Sequence, residues 1–239
     1  MNMVKKKFGQ REITSWEGSK NMAELKQWLA GMYIKFTLDE LEDLPDIVYE
    51  EVVVKAKEAK ELDVDLESGW QTMELGEPPS AHIMAIKMEN ALLKVPAAID
   101  IVENLISNGQ GPVVVFSDHR EPAKLVAEAI KGGVYIRGDT PLVERNRIVI
   151  DFQAGKIPVL AGTIGAMGVG LTLTASNVMV FIDRSYTPGN NIQAVRRIQR
   201  VSQKRRCRVI ELSRKGIDQK INKVLREKEA IISEVMSGN

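Results

Sequence analysis

A chain of 239 residues with 44% hydrophobic and 27% charged residues holds enough apolar material for one large domain or two modest ones. No apolar run reaches the roughly 18 residues of a membrane span, and the basic N-terminus MNMVKKKFGQ is not followed by a secretory apolar stretch, so no membrane partner and a cytoplasmic or nuclear location are expected. The single cysteine, Cys207, excludes an internal disulfide, and it shares no metal-ligand spacing with His82 and His119, so no metal site is expected.

Residues 1–66 are polar and acidic, with short helical patterns such as MAELKQWLAGMYI (22–34). Residues 69–82, GWQTMELGEPPSAH, carry two glycines and two prolines and read as a connector. Beyond it a regular alternation begins. NALLKVPAAIDIVENLI (90–106) has helical period, and GPVVVFSDH is a β-rich run after a Gly-Pro turn. EPAKLVAEAI reads as a helix, GGVYIRG as a strand, and PLVERNRIVIDFQAG as a helix with Pro141 at its start and Gly155 at its end. IPVLAG and NVMVFID are two further strands, NIQAVRRIQRVSQ a helix, CRVIEL a strand, and residues 217–236 a long amphipathic helix. Five short β-branched runs separated by helices predict an α/β fold, a parallel sheet with helices on both faces. In such sheets ligands bind beyond the carboxyl ends of the strands.

Net charge is +1, but it is distributed unevenly: twelve acidic residues against three lysines lie between Asp39 and Glu67, and ten basic residues against Glu211 alone between Arg184 and Lys215. This asymmetry points to an anionic ligand near the C-terminal third. A solvated basic face is the plainer reading, and spacing decides between them. On a helix Gln193, Arg197 and Arg200 would stand at i, i+4 and i+7 on one stripe, with Ile192, Ala194, Val195, Ile198 and Val201 packed on the opposite side. Two arginines one turn apart repel mildly, a cost usually retained for a ligand, and guanidinium suits phosphate. The run GTIGAMGVGLTLTA (162–175) brings glycines at 162, 165, 168 and 170 after a strand, where backbone N–H groups could approach a phosphate; alone it is equally a flexible turn, and its spacing is not the dinucleotide fingerprint. Ser117, Asp118 and His119 are contiguous and so cannot converge as a hydrolase triad.

In this order, VVVFSDH, GDTPLVERNRIVIDF, GTIGAMGVGLTLTA, NVMVFID and QAVRRIQRVSQ resemble the C-terminal motor lobe of superfamily-two helicases, and more narrowly Swi/Snf-type DNA translocases. The last motif of that family, QAxxRxxRxxQ, is matched by Gln193, Ala194, Arg197, Arg200 and Gln203. KVPAAIDIVENLI, the VFSDH loop and GLTLTA look closest to the annealing-helicase branch, and residues 19–45 resemble the end of the N-terminal lobe. The resemblance implies a RecA-like C-terminal lobe over 81–239, preceded over 1–80 by the mostly helical trailing part of the N-terminal lobe and a connector. It implies that Arg197 and Arg200 are arginine fingers supported by Gln193, that Gly168 and Gly170 line the nucleotide, and that Ser117, Asp118, His119 and Thr163 touch the DNA backbone without sequence preference. Departures from the pattern are Ile164 and Gly165 in place of polar or basic residues, SYTP before the arginines, and Arg196 and Gln199.

The chain lacks GxxxxGK[ST]: Gly155–Lys156 is followed by Ile157. LDELED (38–43) aligns with an acidic helix rather than a metal-binding motif. ATP and Mg²⁺ are therefore expected only when an N-terminal lobe is paired in cis or trans, with DNA as the other partner. The isolated chain is expected to be inactive as an ATPase. Other readings are a stand-alone DNA-binding or regulatory module and an unrelated Rossmann-like enzyme, the latter leaving the arginines unexplained.

Overall fold

The structure, a computed structural model, describes residues 2–8, 11–17, 27, 44–55, 81–167, 170–216, 218–219, 221–223 and 225. The expected helical segment around 22–34, the connector over 69–80 and the motif at 38–43 lie outside them, apart from Gln27. Asn2–Phe8 (β1) and Arg11–Glu17 (β2) form an antiparallel pair.

The main element is a parallel sheet of six strands among the described residues. Its strands are Ile47–Val53 (β3), Val113–Ser117 (β4), Val134–Ile136 (β5), Val159–Thr163 (β6), Val178–Phe181 (β7) and Cys207–Ser213 (β8). The order is β3-β8-β7-β4-β6-β5. The five expected strands are present, and β3 adds a sixth from upstream of residue 80, in parallel register with β8 from Ile47↔Cys207 to Val53↔Ser213. From β4 the chain goes out to β5, returns through β6, then crosses to β7 on the other side. That reversal brings the loops after β4, β6 and β7 together at the carboxyl edge, the place where such folds bind ligands.

Strand residues alternate between two cores, as the two-residue period requires. On one face Val113, Val115, Val159, Ala161, Val180 and Ile210 pack against helices Ala81–Ser107 (α1) and Arg120–Ala129 (α2). On the other, Val114, Phe116, Leu160, Met179 and Val209 meet Phe152 of Leu142–Gln153 (α3), Ile164 and Met167 of Ile164–Met167 (α4), and Ala194 and Val195 of Pro188–Val195 (α5). Helices thus cover both faces, which is why the central strands are buried along their whole length.

The expected stop of α3 at Gly155 has a visible cause. Gly155 adopts φ +73°, its N–H reaches the Phe152 carbonyl at 3.0 Å, and the Lys156 N–H reaches the Asp151 carbonyl at 3.0 Å. This is the paired capping arrangement in which a left-handed glycine satisfies the last carbonyls of a helix. At the C-terminus, Ile221 and Leu225 are buried with Ile83 of α1, so this part of the last amphipathic segment packs on its own lobe. No helix among the described residues is long and apolar enough to cross a membrane.

Candidate functional site

The arginine segment follows α5. Pro188 opens that helix, and Asn191 clamps its entry, accepting from the Ser185 N–H at 2.8 Å and donating to the Ser185 carbonyl at 2.9 Å. One continuous helix through residue 203 is expected from sequence; the helix instead ends at Val195. From there the backbone tightens, with the Arg197 N–H on the Ala194 carbonyl and the Ile198 N–H on the Val195 carbonyl. The Arg197 carbonyl accepts the Leu173 N–H at 2.9 Å from a neighbouring loop instead of a bond from the next helical turn. The expected apolar face changes accordingly. Ala194, Val195 and Ile198 are buried, whereas Ile192 and Val201 are 48% and 50% exposed.

Arg197 and Arg200 nevertheless converge. Both donate to the Leu171 carbonyl oxygen, at 3.4 and 3.1 Å. Burial first, and then repulsion from Arg200, hold the Arg197 guanidinium below its ordinary value; a guanidinium stays charged at neutral pH regardless. Gly170, exposed and at φ +77°, directly precedes Leu171, and a Cβ there would meet nothing within 4 Å. The glycine side of the expected nucleotide site therefore adjoins the arginines; Gly168 lies outside the described residues. Gln193 is exposed two residues before the helix end. Gln203, the last residue of the motif, is buried and ties the turn down, donating to the Thr174 and Ser176 carbonyls at 3.0 and 2.7 Å. Gln199 donates to the Pro45 carbonyl at 2.6 Å and contacts Arg196, joining this segment to the lead-in of β3.

At the ends of β4 and β6, Ser117 and Thr163 are register partners. Thr163 Oγ1 accepts the Ala166 N–H at 3.1 Å and starts α4, while Ile164 is a core residue and Gly165 is exposed. Ser117 is fully buried: its hydroxyl donates to Asp183 and accepts the His119 N–H at 3.0 Å. Its side chain holds the loop in shape rather than facing outward. Asp118 and His119 are half-buried. Burial pushes the His119 imidazole below its ordinary value, outweighing the opposite pull of Asp183.

Three residues of this edge are given no role by the sequence reading, although Lys94 and Asp183 fall within KVPAAIDIVENLI and NVMVFID. Lys87, with a side chain 1% exposed, lies 2.6 Å from Asp118 Oδ2 and 3.5 Å from Asp183 Oδ2, with the Tyr186 ring at 4.2 Å. Lys94 pairs with Asp218 at 2.9 Å and donates to the Leu212 carbonyl at 3.2 Å. Asp183, buried beyond β7, accepts from Ser117 and from the Asp118 N–H at 3.2 Å. A signal for the lysines did exist in the sequence. They stand seven apart in α1, on the stripe that also holds Ala91, Val95 and Ala98, and a charge on a buried stripe must be paired.

Residues 97–202 match the family described as helicase conserved C-terminal domain. The SNF2 domain-containing protein ENL1 of Oryza sativa subsp. japonica is 34% identical over 137 residues, 55% of this chain and 14% of that protein. The DNA annealing helicase and endonuclease ZRANB3 of Mus musculus is 30% identical over 214 residues, 82% of this chain and 20% of that protein. The chain thus spans a fifth or less of the length of these relatives. The crystal structure of the C-terminal part of the Fun30 ATPase domain shares the fold, with a TM-score of 0.51 at 24% identity over 55% of this chain and 44% of that one. A parallel sheet wound about β4, an arginine turn docked on the glycine loop, and these matches identify the chain as a C-terminal, RecA-like helicase lobe of the Swi/Snf type.

Proposed function

We propose that the chain is the second lobe of an ATP-dependent DNA translocase, completing a nucleotide site whose Walker-type loop belongs to an N-terminal lobe. The observation that carries this reading is the convergence of Arg197 and Arg200 on the Leu171 carbonyl, one residue beyond the exposed Gly170. A carbonyl oxygen offers two guanidinium groups only partial negative charge; a γ-phosphoryl group offers full charges and matches their fork geometry. In this reading Arg197 and Arg200 are arginine fingers, the exposed Gln193 supports them, and Gly168 and Gly170 line the nucleotide. ATP and Mg²⁺ arrive with the N-terminal lobe, because this chain has no GxxxxGK[ST] to cradle phosphates.

DNA would cross the carboxyl edge over the loop 117–119 and Thr163. Donors there meet phosphate and sugar, which gives affinity and register but no sequence preference. Asp118 and His119 are the half-buried members of the loop and Ser117 its internal brace. Such a lobe works in the cytoplasm or nucleus, where DNA is.

The test mixes this chain with a separately expressed Walker-type lobe of a relative and measures ATP hydrolysis with and without DNA. DNA-stimulated turnover should appear only in the mixture. Arg200→Ala should lower it by about 10³-fold or more, the range for losing an arginine finger. Hydrolysis by this chain alone, or full activity of the Arg200→Ala mixture, would overturn the assignment.

A further inference from the structure

We infer that Lys87 is a positioning residue that couples the DNA-side loop to the arginine-bearing segment, a role that rests on the function proposed above. Its ammonium group joins three pieces of chain. Asp118, at 2.6 Å, belongs to the loop after β4. Asp183, at 3.5 Å, follows β7. Tyr186, whose ring centroid lies at 4.2 Å, stands two residues before α5. Ser117 adds a second tie between the same parts, its hydroxyl on Asp183.

The segment from Asp183 to α5 is short and clamped. Ser185 and Asn191 exchange hydrogen bonds of 2.8 and 2.9 Å across the helix entry. A displacement of the 117–119 loop changes the distance between the two carboxylates that share Lys87. Through the Tyr186 ring and the Ser185 clamp, that change reaches α5 and the turn carrying Arg197 and Arg200. Packing alone does not call for a lysine here, since Ala91, Val95 and Ala98 fill the same stripe of α1 with apolar groups. A buried ammonium is costly unless paired on more than one side, and such groups are retained where they fix one arrangement over others. Coupling between two segments is read by whether perturbing one changes the other.

Hydrogen exchange of the backbone amides provides that readout on this chain, with a short duplex DNA as the probe. In the wild-type protein, DNA should slow exchange at 117–119 and also at 184–200, the distant segment by about 5-fold or more. In Lys87→Met, DNA should still slow the loop while the effect at 184–200 disappears. Lys87→Met leaves Asp118 and Asp183 without their cation and can unfold the lobe, so Tyr186→Leu is the second variant. It keeps all three charges, cuts only the arm toward α5, and should give the same loss. A purely structural role would speed exchange in both segments without DNA and leave the effect of DNA at 184–200 intact. Undiminished slowing there in either folded variant overturns the coupling. If DNA slows nothing at 117–119 in the wild-type protein, the proposed DNA surface fails first and the coupling with it.

Discussion

His119 opens α2 with its Nε2 3.8 Å from Asp183 Oδ2 and Lys87 sharing the same carboxylate. Burial is the larger influence and favours the neutral imidazole; Asp183 and Asp118 pull the other way, Lys87 and Lys94 with burial. The sign of the consequence follows. The folded pKa lies below the ordinary 6.5, so below that pH the unfolded chain takes up a proton that the folded one refuses. This residue's contribution is therefore complete above pH 6.5 and is lost as pH falls through the window beneath it. Replacing it by His119→Gln should flatten the fall in unfolding free energy between about pH 7 and 5, with a slope difference of at most ~1.4 kcal/mol per pH unit for one proton. Urea unfolding of both proteins across that range checks it, since carboxylate contributions are common to the two. Parallel pH profiles would mean that His119 is as easily protonated folded as unfolded. Cys207, by contrast, is a core residue whose thiol burial pushes up to about 11, far from the thiolate a nucleophile needs.

At the scale of elements, the boundary near residue 80 meets a strand lying upstream of it. β3 carries Glu50, bonded to Arg208 at 2.6 and 2.7 Å, and covers the edge of β8 over seven register pairs. A chain beginning at residue 81 should therefore melt at least about 5 °C below one beginning at residue 44, the shift for ~2 kcal/mol in a domain of this size. It should also self-associate, because β8 would become an open edge. Thermal melts and size-exclusion chromatography decide it, and equal midpoints would place the lobe boundary after β3. The central strands β4 and β7 were legible because they are buried along their whole length and read as apolar, β-branched runs. β3 was hidden because an edge strand tolerates charge, and Glu50 and Glu51 merge it with the acidic tract around it. Likewise Gly155 announced the end of α3 through its own left-handed backbone, but nothing local announced the end of α5. Its end depends on Leu173, a residue of another loop, bonding the Arg197 carbonyl. Of the site, the arginines were legible from spacing, and their convergence survived the loss of the helix because Leu171 gathers them. Lys87 was legible only as a charge on a buried stripe, and its partner Asp183 was not, since that pairing appears only when β4 and β7 lie side by side.

For the whole molecule, the question is which edge of the sheet a polyanion meets. Ten basic residues against one acid between Arg184 and Lys215 look like a single cationic surface in the sequence, but the fold disperses them. Arg208 is held by Glu50 and Arg184 lies 3.6 Å from Glu211. Lys204, Arg205 and Arg206 precede β8 and so lie at its amino end, whereas the loops after β4 and β6 lie at the carboxyl end of the same parallel sheet. One duplex crossing the carboxyl edge cannot reach that triplet. DNA affinity of this chain should fall with salt at a log–log slope of roughly −3 to −5, about −0.9 for each of a few phosphates contacted. The triple charge reversal Lys204→Glu, Arg205→Glu and Arg206→Glu should leave that slope within about one unit of wild type, the share of a single phosphate contact. Fluorescence anisotropy with a labelled duplex at several salt concentrations measures both. A flat response in the wild-type protein would argue against backbone recognition altogether. A triplet that takes most of the slope with it would move the DNA to the opposite edge, away from Thr163 and the 117–119 loop, because charges separated by more than a Debye length of about 8 Å cannot stand in for one another.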